Sequence, residues 1–444
     1  MPHELDKILI SHKQPDFDKE LEKLRISTLQ ATWFGDDSKR DKVRDIVEDV
    51  DKRRDEAVAE YTEKFDGIKL TPDQFRVSKE ELEQAHKEID KDLLASLRQA
   101  IENVRNYQSE IFIGNKIEHP GIRYTPIERV GICVPGASAP LPSTVIMTAV
   151  PAQVAGVKEI AVVSPPRYKG SIHPVILAAC YELGIEEVYR IGGAQAVAAL
   201  AFGDRRVGRI KVDKIVGPGN TWVQMAKREV FGIVDIDSIA GPSEVLIIAN
   251  EKANPAWVAA DMLSQAEHTP SSAMLFTYSQ KLAEKVVEEL RKQVIQLNRA
   301  VSTSECLREA SKIVVFKDMY DVVGYANIFA VEHVEIQCGE ESKEIADKIE
   351  NAGAIFVGDC SPVAVGDYWA GPSHTLPTGM TARFFSALTS NDFIKSISII
   401  EYDKEKLAES ADDIIRLAEA EGLDAHARSI KIRQKNHKVG TQQK

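Results

Sequence analysis

The sequence predicts an α/β fold built on parallel sheets, and three observations predict it. Short, continuously apolar runs such as Glu159-Ile160-Ala161-Val162-Val163 and Ala354-Ile355-Phe356-Val357 alternate with helical stretches between residues 129 and 357. Strands buried on both faces read as unbroken apolar text, and helical crossovers between them make the sheet parallel. Three of the early strands run straight into glycine-rich turns. Finally, 444 residues exceed the size at which one core keeps growing. Together these imply two Rossmann-like layers that meet near residue 243, flanked by an N-terminal arm and a small C-terminal helical segment.

In chain order, residues 1–24 are polar and lack a burying period, so they are expected to form an arm on another domain or subunit. Val43, Ile46, Val47 and Val50 set a helical period that Ala57, Val58 and Tyr61 continue, and 79–107 repeats the style. These helices are assigned with the later sheet, giving a first Rossmann-like domain of 25–128 plus 244–388. Helices at 143–155, 172–183, 194–202 and 221–231 alternate with strands ending near 133, 163, 191 and 216, which makes 129–243 a second, dinucleotide-binding domain. The alternation resumes with strands at 273–276, 312–316 and 354–357, and 389–444 closes the chain with a helix at 406–420.

A net charge of -12 argues against nucleic-acid or anionic-membrane partners, both of which call for a basic face. The five cysteines are scattered and contain no C-x-x-C, so neither a disulfide framework nor a thiolate zinc site is indicated. The opening Met-Pro-His-Glu-Leu-Asp-Lys has no charged region followed by an apolar one and no apolar run approaches ~18 residues, so neither export nor a membrane span is expected. A cytoplasmic protein acting on a small molecule is expected.

Three stretches carry chemistry. The first is Asp261-Met262-Leu263-Ser264-Gln265-Ala266-Glu267-His268, closed by Thr269-Pro270. Proline disfavours helix at the preceding residue, which puts His268 in a last helical turn with Gln265 on the same face. An isolated pair of this kind is ordinarily a cap or a solvated surface. Asp367 and His426 complete an N, N, O, O set that suits zinc or manganese. The second comprises the turns Val134-Pro135-Gly136, Gly192-Gly193-Ala194-Gln195 and Gly217-Pro218-Gly219-Asn220, each after a strand and before a helix. Each could be only a tight turn, but three in one domain favour a nucleotide held on helix N-termini, although G-x-G-x-x-G is absent. The third is Glu332-His333, which in a turn can supply a base and a relay to one pocket.

These strings, with Ala240-Gly241-Pro242-Ser243-Glu244-Val245, Gly366-Asp367-Tyr368, His374-Thr375-Leu376-Pro377-Thr378 and Glu421-Gly422-Leu423-Asp424-Ala425-His426, resemble the histidinol dehydrogenase family from about residue 30 to 433. The resemblance implies an NAD- and zinc-dependent oxidation of L-histidinol to L-histidine through the aldehyde, in a homodimer with composite active sites. It places the zinc ligands on Gln265, His268, Asp367 and His426, and the acid/base pair on Glu332 and His333. Substrate contacts fall on Ser243, Gln265, His268, His333, Asp367, His374, Glu421 and His426, the last segment coming from the partner subunit. Dinucleotide contacts fall on Cys133, Gln195 and Asn220. The chain departs from the family's habit at Cys133 (often Tyr), Ala137 (Gly), Val331 (Pro), Ser373 (Asn) and Val363 (Glu in some members). Two alternatives are a related zinc dehydrogenase for another small polar alcohol and a non-catalytic binder on the same scaffold.

Overall fold

The computed structural model describes residues 5, 7–33, 37–115, 120–136, 140–203, 210–268 and 270–440, so Ala137 lies outside the described residues. The chain forms two compact units, Met1–Asn115 with Pro126–Ile394 and Lys116–Thr125 with Lys395–Lys444.

The larger unit opens with β1 (Leu9–Ser11), α1 (Phe17–Trp33), α2 (Asp37–Arg53), α3 (Asp55–Asp66), α4 (Lys79–Glu88) and α5 (Lys91–Ile111). After β2 (Ile122–Pro126) come β3 (Arg129–Cys133), α6 (Pro142–Ala155), β4 (Glu159–Val163), α7 (Pro174–Glu182), β5 (Glu187–Tyr189), α8 (Gly193–Phe202), β6 (Lys214–Val216), α9 (Thr221–Val230) and β7 (Asp235–Ile236). They are followed by β8 (Ser243–Ala249), α10 (Pro255–Ala266), β9 (Ser271–Thr277), α11 (Gln280–Val294), α12 (Ala300–Ala310), β10 (Lys312–Val315), α13 (Met319–Phe329), β11 (His333–Gln337), α14 (Ser342–Ala346), β12 (Ala354–Val357) and α15 (Val363–Tyr368). β13 (Ile394–Ser398), α16 (Lys404–Ala420) and α17 (Asp424–Gly440) end the chain.

Two parallel sheets result, ordered β5-β4-β3-β6-β7 and β1-β10-β9-β8-β11-β12. The period of two along each strand sends alternate residues to opposite cores. In the five-stranded sheet Val130, Ile132 and Val134 join a core with α4 to α7, while Cys133, Ala161, Val163 and Ile215 join one with α2, α3, α8 and α9. In the six-stranded sheet Val245, Ile247 and Leu275 face α10 to α12, and Leu246, Ile248 and Phe276 face α1 and α13.

Two expectations are corrected. The helices between residues 37 and 111 cover the five-stranded sheet and not the later one: the stripe Val43, Ile46, Val47 and Val50 packs with the alanine-rich α8, whose small side chains allow close approach. The segment 1–24 is also not an arm laid on another domain or subunit but part of the larger unit, because Leu9–Ser11 pairs in parallel with β10, and Leu21 and Leu24 of α1 are buried in the core of the six-stranded sheet. Three strand residues are too few to leave a period in polar text.

The smaller unit holds most of the strand pair β2 and β13 and the helix pair α16 and α17, joined by Ile415, Ala418, Ala427 and Ile430. It thus takes in residues 116–125 as well as the expected C-terminal segment. No helix among the described residues is long and apolar enough to cross a membrane.

Candidate active site

Parallel pairing sets β8 and β11 starting side by side, with His333 opposite Val245, so Ser243 and Glu332 meet at the amino edge of the six-stranded sheet. The Ser243 hydroxyl donates to Glu332 Oε2 at 2.6 Å, and the Glu244 amide donates to the same oxygen at 2.9 Å. His333 Nδ1 lies 2.9 Å from the Glu244 carbonyl oxygen and 3.4 Å from Glu332 Oε2. A carbonyl can only accept, so Nδ1 carries a proton, and in the neutral ring Nε2 is the nitrogen with the lone pair. That Nε2 is buried and has no partner among the described residues, and the same holds for His374 Nε2.

The electrostatics group these residues further. Burial first, offset by His333 and the Ser243 hydrogen bond, raises Glu332 above the usual carboxylate range, and the Asp367 charge adds to the rise. Burial lowers His374, whose ring also feels Asp367 and His333 and bonds the Ser143 backbone. Glu244 is pushed up to about 8 by burial and by Glu332 beside it, while the Gly379 amide donates to its Oε1 at 3.1 Å. Ser243, Glu332, His333, Asp367 and His374 therefore share one site. Asp367 reaches it because Gly366 lies flush on Phe356, where a Cβ would come within 2.6 Å of the ring, and that ring in turn packs 5.8 Å from His333.

Gln265 lies in the last turn of α10, which Asn254 caps and Pro255 starts. The helix closes at Ala266, and His268 lies in the turn just past it, its amide bonded to the Gln265 carbonyl at 3.2 Å. Gln265 is buried with Nε2 unpartnered among the described residues, whereas His268 is exposed. Glu267 acts on Tyr368, which brings the end of α10 to the end of α15 and hence to Asp367. Helix C-termini carry partial negative charge, so this corner favours a cation, and its nitrogen and oxygen donors fit zinc. No group of three His, Cys, Asp or Glu side chains suited to a metal occurs among the described residues. Glu421 and His426 lie in the smaller unit, both exposed, at the C-cap of α16 and in the first turn of α17.

The proposed dinucleotide residues gather elsewhere, at the carboxyl edge of the five-stranded sheet. Gln195 opens α8 with both amide atoms buried and unpartnered among the described residues. Exposed Asn220 caps α9, its side-chain oxygen accepting from the Trp222 and Val223 amides. Cys133 is buried, its thiol pushed up to about 12 by desolvation, so it offers no thiolate. Its carbonyl oxygen would stand 2.3 Å from a Cβ at Gly217, whose φ of +105° already demands glycine. The buried pair Lys227 and Asp237 pins this turn, with Asp237 accepting from the Gly217 amide at 2.7 Å.

Sequence reasoning missed Ser164, whose buried hydroxyl just past β4 is also unpartnered among the described residues, and Glu244. A polar residue directly after an apolar strand, and a carboxylate inside Ser243-Glu244-Val245 at a strand start, were the available signals.

One layer presents glycine turns and helix N-termini and the other a buried imidazole with a free nitrogen, an arrangement that defines an α/β oxidoreductase of the dehydrogenase class. A sequence model of the histidinol dehydrogenase family matches residues 33–434, and the chain belongs to that family, an enzyme acting on an alcohol. It is similar to the histidinol dehydrogenases of Rhodopirellula baltica, at 48% identity over 88% of this chain and 86% of the relative, and of Heliobacterium mobile, at 45% over 91% and 96%. The crystal structure of histidinol dehydrogenase from Elizabethkingia anophelis superposes with a TM-score of 0.87 at 35% identity, covering 97% of this chain and 98% of that one.

Proposed function

We propose that the chain oxidises L-histidinol to L-histidine through L-histidinaldehyde, using two NAD and one zinc ion per subunit, in a cytoplasmic homodimer. When bound, zinc would hold and polarise the substrate while NAD takes up one hydride in each step. Gln265, His268 and Asp367, with His426 of the partner subunit, would hold the metal, and Gln195 and Asn220 the dinucleotide. His333 Nε2 takes the hydroxyl proton as hydride leaves the adjacent carbon. Glu332, held by Ser243 and the Glu244 amide, then deprotonates the water that adds to the aldehyde, and the hydrate loses the second hydride. His374 Nε2, enclosed beside His333, offers the substrate a further polar contact.

The observation that carries this reading is the setting of His333, a buried imidazole whose Nδ1 is held by the Glu244 carbonyl beside Glu332, whose Nε2 has no partner among the described residues, and which shares its site with Asp367 and His374. The test is NADH formation from histidinol, from other amino alcohols and without substrate. Two NADH per histidinol are expected, and preference for another alcohol would overturn the substrate assignment. For the composite site, mixed dimers of His268→Ala and His426→Ala chains should regain activity. Failure under demonstrated subunit exchange would argue for sites built within one chain.

A further inference from the structure

Beneath the cation corner lies a polar cluster that the chemistry above does not use. Gln337 Nε2 donates to Asp261 Oδ2 at 2.6 Å and to Glu335 Oε2 at 3.3 Å, and the Val363 amide donates to Glu335 Oε1 at 2.7 Å. Glu335 and Gln337 are buried, and Asp261 is half-buried. Burial first, then the Asp261 charge, lifts Glu335 to about 8, and Asp261 is raised as well, mainly by burial. The two carboxyls therefore share one proton, Glu335 donating to Asp261, because neighbouring buried carboxylates do not both ionise.

Asp261, Glu335 and Val363 each stand one structural repeat from a site residue, and Gln337 stands one repeat beyond Glu335. Asp261 precedes Gln265 by one turn of α10, on the same face. Glu335 follows His333 by two along β11, also on the same face. Val363 begins α15, one turn before Asp367. Burying two carboxyls in mutual contact costs stability unless every polar atom is bonded, so such a cluster is a poor way merely to hold a fold. It does fix three elements in one register, since its hydrogen bonds are directional where apolar packing is not.

We propose that Asp261, Glu335 and Gln337 are positioning residues that lock α10 and α15 onto β11 and so set the spacing of Gln265 and Asp367 around a divalent cation. This rests on the metal reading above.

The test is zinc affinity by competition with a chelating dye, measured on the full-length protein alongside NAD affinity and the apo-protein melting temperature. Glu335→Ala, which orphans the Val363 amide and the Asp261 carboxyl, should weaken zinc binding by about 10–100-fold, the range for residues that orient metal ligands. Glu335→Gln should restore affinity to within about threefold of wild type, because the amide accepts from Val363 and donates to Asp261 without a shared proton. Gln337→Met, of similar volume, removes the bridge and should behave like Glu335→Ala; it decides the matter should the alanine variant fail to fold. NAD affinity, governed by the other sheet, should not move. Wild-type zinc affinity in Gln337→Met, or a glutamine variant as weak as the alanine one, would overturn the proposal alone. A wild-type protein that takes up no zinc would overturn it together with the metal reading.

Discussion

The two sheets are built from the same parallel unit yet offer opposite edges to chemistry. The five-stranded sheet uses its carboxyl edge, where Gly192, Gly193 and Gly217 lead into the N-termini of α8 and α9. The six-stranded sheet uses its amino edge, where Ser243, Glu332 and His333 begin β8 and β11 and where α10 ends. Helix N-termini expose N–H groups and favour anions, and C-termini expose carbonyls and favour cations. One backbone pattern, read from opposite ends, thus offers hydrogen-bond donors at one edge and carbonyl acceptors at the other, which on the proposed function would suit a dinucleotide's phosphates and a metal respectively. Strand direction decides which ligand an edge can take before any side chain is chosen.

That contrast can be broken most severely at the proton-transfer edge. Glu332→Gln keeps the hydrogen bonds but cannot take a proton, so histidinaldehyde oxidation should slow by about 10²–10⁴-fold. Alcohol oxidation in a single turnover should suffer far less. Equal damage to both half-reactions would mean that the carboxylate only positions His333.

Next, the two edges should fail separately. His268→Ala should lower zinc affinity by about tenfold or more while NAD affinity, followed by fluorescence titration, stays unchanged. Gly217→Ala should do the reverse, because a Cβ there meets the Cys133 carbonyl at 2.3 Å and φ is +105°. It should weaken NAD binding and cost about 1–3 kcal/mol of stability with zinc content intact. A Gly217→Ala protein that loses zinc as readily as NAD would show that the edges are not independent.

The smallest effect concerns Glu244. Burial and the neighbouring Glu332 push this carboxyl up to about 8 from the ordinary carboxylate value of 4.5, so the native state prefers the protonated form. Its contribution to stability is therefore greatest below that ordinary value and is lost as pH rises towards 8, at up to roughly 1.4 kcal/mol per pH unit. Glu244→Gln lacks this slope, so its melting temperature relative to wild type should climb between pH 5 and pH 8. A constant difference would mean that Glu244 is ionised in the folded protein.

Much of this was legible in the sequence wherever burial was unambiguous. Glu159–Val163 and Lys214–Val216 fall where their apolar runs place them, and so does Ala354–Val357, although at the sheet edge its Ile355 and Val357 are exposed and not buried on both faces as the apolar run implied. Periodicity reports which face is buried but not against what, which is why α2 to α5 were assigned to the wrong sheet. Strand β11, His-Val-Glu-Ile-Gln, alternates like a half-solvated strand, yet all five residues are buried, because its polar positions line the site and the Asp261 cluster. Gln265, His268, Asp367 and Glu332-His333 stood out as candidates because ligand and base chemistry restricts the residue types, and the structure sets Asp367, Glu332 and His333 within one site. Glu244 and Glu335 were not, since a carboxyl held protonated looks in sequence like any solvated one.

The edge strand β1 also orders events during synthesis. Leu9–Ser11 finds its partner only in Ile313–Val315, near the end of the larger unit. The strands and covering helices of the five-stranded layer have all been made once Ile236 has left the ribosome, but its core also takes in Leu388 and Phe393, so it too is finished only by late-made chain. Non-local parallel pairing is slow because loop closure precedes any stabilising contact. The growing chain must therefore keep Leu5, Ile8 and Ile10 out of other contacts until β10 emerges, and the polar text around them keeps that segment soluble in the interval.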